Sequence, residues 1–438
     1  MSMYRRKALE HVSFPRYSRR LGYCESRKLT VEPIFRRYFG SEADNREQQK
    51  HFLQKYQIRT SLERLIYKYA NSPIEQLSMS ELYAQSRELS ETTFIDRTME
   101  AVEQLLVFNA RGIGKFRRLP YLVALNPSIC ESYNIYLKTM SDLLKGIAKR
   151  PKNLEENEKF INQAFQGFID EHADTIPALS KGFSEVCNLV STERIKEFLD
   201  DHLKERIHMR LIAHQQIALM HSLKSPSFVS GGDFNGVIKP LDIKEVIQKN
   251  ADLVNSICAI KYDQTVSIVV GTNLYPPSYW SGSEPNLTPR SKESFIFPYI
   301  GYHLDYVLME LLKNAFRAHI ENGVKEPVHI TVSISSDPSY LELRIRDKGK
   351  GIHPKALKNM FDYSFTTYES NEGDSYKTLN TPPGVGGQTI AGMGYGLPLS
   401  KNYIEAFNES SSAATKGSLT LQTYKGWGTD VYVKTVGY

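Results

Sequence analysis

The chain has 438 residues, 41% of them hydrophobic, which is enough to bury a substantial core and suggests two or three domains. No apolar run approaches the length of a membrane span, so no transmembrane segment is expected. The four cysteines are scattered without a CxxC pair, which argues against a disulfide framework or a zinc site and predicts buried thiols.

Residues 1–30 contain eight Lys or Arg and two Asp or Glu, a difference that equals the formal net charge of +6 for the whole chain. An arginine-rich, acid-poor start with serine and aromatic residues is typical of a mitochondrial presequence. A disordered basic arm that binds nucleic acid or a membrane is the alternative. Because the remainder of the chain is balanced in charge, we expect no nucleic-acid partner.

Residues 31–224 have the periodicity of amphipathic helices with short links, which predicts an N-terminal all-α helical bundle. The apolar stripes indicate a helix that ends at Pro73, a helix over 94–116 that is broken near Gly112 and Gly114, a helix that opens at Pro127, one around 160–169, and one from Ser191 to Leu223.

Residues 225–240 are rich in Ser, Gly and Pro and are predicted to be a linker. Over 241–438 helical and strand patterns alternate, which predicts an α/β sandwich with helices on one face of a mixed sheet, and an α+β fold for the whole chain. The predicted elements are a helix over 243–260 and strands over 266–270, 328–334, 341–345, 418–423 and 431–435, with a hairpin turn at 336–339.

The stretch 301–323 is predicted to form one helix that stops at Gly323. Its core face carries Val307, Leu308, Leu311, Ala315 and Ala318. A second face carries Tyr306, Glu310, Asn314, Arg317 and Glu321 at spacings of three and four. A carboxylate can take a proton from a hydroxyl, an amide oxygen can bind Mg²⁺, and a guanidinium matches phosphate geometry. Taken alone, the pattern also fits an ordinary amphipathic helix.

Further segments follow this helix in a fixed order and favour a nucleotide site. An Asp at a strand end can accept from the exocyclic amine of adenine, glycines let the backbone approach a ligand, and free N–H groups at a helix start suit a phosphate. A polar stretch over 364–391 is interpreted as a lid that closes over nucleotide. The segments are Asp347, Gly349 and Gly351 after a strand, residues 361–367, Gly392, Gly394 and Gly396 at a helix start, and Gly428, Thr429 and Asp430 between two strands.

These segments, with the central helix, resemble the N, G1, F, G2 and G3 boxes of the GHKL ATP-binding superfamily, whose domain is the Bergerat α/β sandwich. Residues 118–140 and 198–220 resemble the mitochondrial pyruvate dehydrogenase kinase and branched-chain 2-oxo acid dehydrogenase kinase family, most closely the fungal pyruvate dehydrogenase kinases. The specific pieces are RLPY, NP and YLK in the first stretch and the FLD...RI...R core in the second.

The resemblance implies an ATP- and Mg²⁺-dependent protein-serine kinase of the mitochondrial matrix. Such a kinase phosphorylates, and so inactivates, the decarboxylase component of a 2-oxo acid dehydrogenase complex, here most simply pyruvate dehydrogenase, with the branched-chain complex as the alternative. The resemblance also implies binding to the lipoyl domain of the acyltransferase core, and a homodimer.

The family motifs carry roles onto matching positions. Glu310 matches the general base, Asn314 the Mg²⁺ ligand, and Lys313 and Arg317 positions near the phosphates. Asp347 matches the adenine contact, and Gly349 and Gly351 match ATP-binding positions beside it. The remaining matches to nucleotide-binding positions are Thr366, Thr367, Gly392, Met393, Gly394, Tyr395, Gly396, Leu397 and Thr429.

Several positions depart from the family pattern. Tyr306 stands where pyruvate dehydrogenase kinases have His one turn before the base, as in the branched-chain kinases, which puts substrate choice in doubt. Lys350 replaces the third glycine of the DxGGG pattern and is expected to face solvent. Gln216 replaces a family His, with His214 two residues earlier. The C-terminal tail that clasps the partner subunit in some relatives is expected to be absent or replaced.

Two other functions remain open. A two-component histidine kinase needs an acceptor His, usually followed by an acid, but neither His208 nor His214 is followed by Asp or Glu, so structural histidines are the preferred interpretation. A non-catalytic ATP-gated scaffold is disfavoured because the base and metal positions are complete.

Overall fold

The computed structural model describes residues 42–74, 77–226, 228–271, 295–363, 394–408 and 416–437. Within these ranges no helix combines the length and the apolar character that a membrane span requires. A helical region comes first and an α/β region follows it, so the fold is α+β. The predicted presequence over 1–30 lies outside the described residues.

The helical region confirms the predicted helices and adds short ones. Asn126 caps the helix that opens at Pro127, since its side-chain oxygen accepts from Ser128 N at 3.0 Å, and Ser191 caps the longest helix. The predicted helix around 160–169 is two α-helices joined by a π-helical turn, Asn162–Gln166. The helices are α1 Glu42–Ala70, α2 Met79–Arg87, α3 Glu91–Arg117, α4 Tyr121–Ala124, α5 Pro127–Ala148, α6 Leu154–Ile161, α7 Gly167–Glu171, α8 Thr175–Glu185 and α9 Thr192–Lys224.

The predicted break in the second helix is wrong, because α3 runs without interruption through Gly112 and Gly114. Gly112 is a packing position. A Cβ there would lie 2.6 Å from a ring carbon of Tyr136 on α5, whereas a Cβ at Gly114 would meet no atom within 4 Å. The first glycine lets α3 and α5 approach closely, and the helix tolerates both at a cost in intrinsic propensity.

The sheet of the α/β region has five strands in the order β2-β4-β5-β7-β6, with β2 and β4 parallel and the other pairs antiparallel. This confirms the predicted mixed sheet and the hairpin, where Ser336 pairs with Ser339. The strands are β2 Ile268–Gly271, β4 Val328–Ser336, β5 Ser339–Arg346, β6 Ser418–Tyr424 and β7 Gly428–Val436.

Helices cover one face of this sheet. Helix α11 packs against α10, against α13 and against β5, and α13 contacts β6 and β7. Gly323, at φ 64°, ends α11 in the left-handed conformation, as predicted. The helices are α10 Ile243–Tyr262, α11 Gly301–Asn322, α12 Pro354–Leu357 and α13 Gly396–Glu405.

A two-stranded antiparallel ribbon, β1 Ile238–Asp242 with β3 Ile296–Ile300, joins the two regions and was not predicted. The end of the segment predicted as a linker, 225–240, therefore lies in β1. Just before it, Val237 N donates to Gln215 Oε1 of α9 at 2.9 Å, which ties the connection to the helical region. Strand β3 leads directly into α11.

The cysteines only partly follow the expectation of buried thiols. Cys258 is buried in α10 and burial raises its pKa to about 11, but Cys130 is half-buried and Cys187 is exposed. The expectation is wrong for Cys187, because amphipathicity alone did not show that this position lies on the outer surface.

Candidate nucleotide-binding site

A cavity of about 510 Å³ opens between α11, the carboxyl end of β5, the start of β7 and the start of α13. Strand pairing explains why distant segments meet here. Arg346 pairs with Asp430 across β5 and β7, so the residues that follow β5 lie beside those that begin β7. The backbone N–H of Asp347 donates to the carbonyl of Thr429 at 2.9 Å and extends this pairing into the site.

Helix α11 supplies one wall of the cavity through Glu310, Asn314 and Arg317, which are one turn apart. Asn314 is exposed to the cavity. The Arg317 Nε donates to Glu321 at 2.6 Å, at the far end of the same wall. Tyr306, one turn before Glu310 on the same helix, does not line the cavity, because its ring packs against Tyr403 of α13, with centroids 4.9 Å apart.

Glu310 is buried and forms an ion pair with Lys313, whose Nζ lies 2.5 Å from Oε1. Lys313 is itself buried and does not line the cavity. The other carboxylate oxygen, Oε2, faces Gly396, where a Cβ would collide with it. Lys313 therefore holds one oxygen of Glu310 while the second is directed to the first turn of α13.

Asp347 is buried at the base of the cavity. Its Oδ1 accepts from the backbone N–H of Gly349 at 2.9 Å and from that of Thr429 at 3.2 Å, which fixes the plane of the carboxyl group. Burial raises the pKa of Asp347 to about 6, against the opposing effect of these two hydrogen bonds. The remaining oxygen is a positioned acceptor, as an exocyclic amine requires.

Two glycines let the backbone segments of the site approach closely. Gly351 has φ 72° and Gly428 has φ 102°, values that favour glycine. A Cβ at Gly351 would collide with the carbonyl of Tyr424, and one at Gly428 with the carbonyl of Asp347. The two glycines thus allow the loop after β5 and the start of β7 to come close together around Asp347.

Two side chains that sequence reasoning did not assign hold these loops. His319 of α11 accepts from Lys348 N at 2.9 Å through Nε2, and burial lowers its pKa. Asp430 accepts from Arg344 at 2.6 Å and from Arg346 at 2.7 Å. These bonds hold the pKa of Asp430 below its usual range although burial opposes them, so Asp430 links β5 to β7.

Among the described residues no side chain caps the first turn of α13, which faces the cavity, so its N–H groups are suited to an anion. Gly394 has φ 77°, and Gly396 and Leu397 line the cavity with it. Tyr395 is fully buried and packs against Tyr363, with ring centroids 5.4 Å apart, which anchors the helix start. This turn lies directly opposite Glu310.

An apolar lining between the loops and the sheet was not predicted, because its members are scattered along the chain. A flat apolar slot beside a buried carboxylate suits a purine base. The lining consists of Ile345, Ile352, Ala356, Met360, Leu421 and Val431.

Most predicted site residues come together in this cavity: Glu310, Asn314, Arg317, Asp347, Gly351, Gly394, Gly396, Leu397 and Thr429 line it. Lys313, Gly349 and Tyr395 lie behind the lining. Lys350 is exposed, as expected, but stands at the cavity edge. The described residues do not include Thr366, Thr367, Gly392, Met393 or the proposed lid over 364–391.

Among the described residues no group of three or more His, Cys, Asp or Glu side chains could hold a metal ion by itself. Mg²⁺ takes one or two protein oxygens, and phosphate oxygens and waters complete its shell. Asn314, exposed in the cavity one turn from Glu310, fits such a site.

Two family models match the chain. The model described as mitochondrial branched-chain alpha-ketoacid dehydrogenase kinase matches residues 76–239, and that described as histidine kinase-, DNA gyrase B-, and HSP90-like ATPase matches residues 301–436. The second match contains the whole of α11 and both ends of the cavity.

Curated relatives match over most of the chain. The mitochondrial [pyruvate dehydrogenase (acetyl-transferring)] kinase 1 of Saccharomyces cerevisiae is 33% identical over 89% of this chain and 91% of its own length. The mitochondrial kinase isozyme 4 of Mus musculus is 26% identical over 85% of this chain and 83% of its own length. The mitochondrial kinase of Arabidopsis thaliana is 24% identical over 76% of this chain and 82% of its own length.

Proposed function

Because this chain belongs to the family of mitochondrial pyruvate dehydrogenase kinases, we propose that it transfers the γ-phosphate of ATP to a serine of the pyruvate dehydrogenase decarboxylase component and so inactivates it. The site that supports this proposal is the first turn of α13 opposite Glu310. There a buried carboxylate oxygen and free backbone N–H groups share one opening.

The transfer needs a hydroxyl, a phosphate and a metal placed together more than it needs covalent chemistry. Glu310 Oε2 accepts the proton of the serine hydroxyl, while Lys313 holds Oε1 and fixes the orientation of the carboxylate. The N–H groups of Gly396 and Leu397 receive the phosphates. Arg317, at the outer end of the same wall, adds positive charge near them.

Asp347 recognises the adenine of the nucleotide. Its free oxygen accepts from the exocyclic amine, and the apolar lining encloses the ring. Asn314 would hold Mg²⁺, which neutralises charge on the phosphates when it is bound. Asn314 lies one turn from Glu310, so a metal held by Asn314 would supply its charge beside the hydroxyl that Glu310 activates.

The Glu310→Gln variant tests the base. We expect it to retain nucleotide binding and to lose roughly 10²–10⁴-fold in transfer rate, the usual contribution of a general base. Labelled ATP and purified decarboxylase component provide the assay. The matched change Glu245→Gln, on the exposed face of α10, should leave the rate unaltered. An unreduced rate in Glu310→Gln would reject the assignment of the base.

The same assay separates the alternatives. The branched-chain decarboxylase component, offered in parallel, tests whether Tyr306 marks a different substrate. A scaffold would transfer no phosphate to either component. A histidine kinase would give acid-labile phosphate on this chain, but His208 Nε2 faces the carbonyl of Ala406 at 3.2 Å and His214 packs against Tyr302, with centroids 4.5 Å apart. Neither ring is placed as an open acceptor.

The chain is a mitochondrial kinase, and within the mitochondrion we place it in the matrix, where its substrate complex lies. The presequence over 1–30, the bundle over 31–224, the linker over 225–240 and the ATP-binding domain over 241–438 form the proposed organisation. Binding to an isolated lipoyl domain and the mass of the chain in solution test the other two family features, lipoyl-domain recruitment and a homodimer.

A further inference from the structure

A second cavity, of about 670 Å³, is larger than the nucleotide cavity and takes no part in the proposed chemistry. It lies between α1, α3 and α9, and we refer to it as the basic groove. Its charged lining consists of Arg111 and Lys115 from α3, Arg118 directly after α3, and Asp201, Lys204 and Glu205 from α9.

The acids of the basic groove already have partners. Lys115 Nζ lies 2.9 Å from Glu205 and 3.8 Å from Asp201, and Lys204 pairs with Asp200 at 2.6 Å. In the part of the chain that the structure describes, Arg111 and Arg118 form no ion pair within 4 Å, although the charge of Arg111 also acts on Glu205, which Lys115 already neutralises.

The two unpaired guanidinium groups are suited to an incoming anion. Arg111 is half-buried in the groove wall and uses one terminal N–H to donate to the Ser72 carbonyl at 2.7 Å. Arg118 is exposed at the rim. A guanidinium presents paired N–H donors that match a carboxylate.

Exposed apolar side chains next to the groove point to a protein rather than a small anion. Tyr67, which lines the groove, is 74% exposed, and Tyr121 and Leu122, three and four residues after Arg118, are 76% and 61% exposed. Large apolar side chains beside arginines are typical of surfaces that bind proteins.

The groove lies within reach of the catalytic carboxylate. His208, in its lining, faces the carbonyl of Ala406 at the end of α13, and the same helix begins at Gly396 against Glu310. The ten residues of α13 span about 15 Å. An extended chain covers that distance in about five residues.

We propose that the basic groove docks an acidic segment of the phosphoacceptor protein, with Arg118 and Arg111 pairing with its carboxylates while the serine lies at Glu310. The proposal rests on the proposed protein-kinase function. It adds a substrate-selecting surface on the helical region to the chemistry of the ATP-binding domain.

Two variants of the full chain test the groove by different means. Arg118→Glu reverses the rim charge. Gly114→Leu fills the groove without a charge change, and because a Cβ at Gly114 meets no atom within 4 Å, the fold should accept it. Lys244→Glu makes the same charge change on the exposed face of α10, away from the groove.

With purified decarboxylase component, each groove variant should raise the KM for the protein substrate about tenfold or more, the effect of losing a paired charge at an interface. The KM for ATP should not change, because the groove does not touch the nucleotide cavity. Added salt should raise the KM of the unmodified chain for the protein substrate. The difference in this KM between the unmodified chain and Arg118→Glu should therefore become smaller. Lys244→Glu should behave as the unmodified chain.

Unchanged protein KM values in both groove variants would overturn the docking role, as would an equal effect of Lys244→Glu. If the unmodified chain transfers no phosphate, the proposed function fails instead. The docking role is then tested by direct binding of the decarboxylase component to the immobilised chain. Weaker binding by both groove variants supports docking, and equal binding refutes it.

Discussion

At the residue scale, the two buried carboxyl groups of the nucleotide cavity are stabilised in different ways. Glu310 pairs with a buried ammonium, that of Lys313, at 2.5 Å. Asp347 has only the backbone N–H groups of Gly349 and Thr429, and no cation neutralises it among the described residues. Burial therefore raises the pKa of Asp347 to about 6, and its charge costs stability at neutral pH.

Replacement of that charge should stabilise the empty protein. Because the folded pKa of Asp347 lies above the ordinary value of 3.8, its ionisation destabilises the fold as pH rises through this interval, up to about 3 kcal/mol above pH 6. Asp347→Asn keeps an acceptor for Gly349 and Thr429 but no longer accepts from adenine. We expect greater resistance to urea at pH 8, a smaller gain at pH 5, and loss of ATP binding.

The result would be contradicted by an Asn variant that is less stable than the unmodified chain at pH 8, or one that binds ATP normally. The change Asp252→Asn, on the surface of α10, is the matched control for removal of one negative charge.

Asn314 provides a second prediction at this scale. Removing a side chain that contacts a charged group costs about 1.5–3 kcal/mol, so Asn314→Ala should weaken nucleotide binding about 10–150-fold when Mg²⁺ is present. Calorimetric titration with ATP measures this loss of nucleotide affinity. In EDTA the variant and the unmodified chain should bind alike; an equal loss with and without Mg²⁺ would remove the metal role.

At the element scale, the packing of α3 on α5 depends on glycine at one position and not at another. Gly112→Ala places a Cβ 2.6 Å from Tyr136 and should cost about 1–3 kcal/mol through overpacking. Gly114→Ala, two residues later, meets open space and should stabilise the helix by up to about 1 kcal/mol. Urea unfolding of the two variants measures the sign of each change in the free energy of unfolding.

Each variant is the control for the other, since both make the same substitution in one helix. If both destabilise the chain equally, close packing at Gly112 is not the cause. The predicted break in α3 was wrong for this reason. Two glycines lower the intrinsic stability of a helix, but packing against a neighbouring helix keeps α3 continuous.

At the scale of the whole molecule, the helical region and the ATP-binding region are joined through α9 and α13. Asn402 of α13 donates to Tyr363 at 2.5 Å and to Asp200 of α9 at 3.4 Å, and Lys196 of α9 pairs with Asp362. The two regions therefore meet at Asp362 and Tyr363.

Asn402→Ala should weaken this junction. Loss of this buried donor leaves the Tyr363 hydroxyl without the hydrogen bond from Asn402, and Asp200 keeps its ion pair with Lys204, so the change should cost about 1–3 kcal/mol. Because Tyr363 packs on Tyr395 at the start of α13, we also expect a smaller thermal stabilisation by ATP. The change Asn134→Ala, at an exposed position of α5, should alter neither quantity. Normal stability and a normal ATP response in Asn402→Ala would contradict the coupling.

The amino-acid sequence alone determined the features that depend on local chemistry and periodicity. The stripes on α11, the stop at Gly323, the helix starts at Pro127 and Ser191, and the strand and turn signals could all be predicted, because each involves residues within a few positions of one another. Ordered motifs also identified the family and nine of the residues that line the cavity, but not its apolar lining.

Only the tertiary structure decided how side chains from distant segments meet. It buried Tyr306 against Tyr403, paired Lys313 with Glu310, placed Gly396 against that carboxylate, and formed the basic groove from three helices. Spacing on one helix shows which face a residue shares but not which partner covers it. That choice follows from packing and charge pairing between segments far apart in the chain.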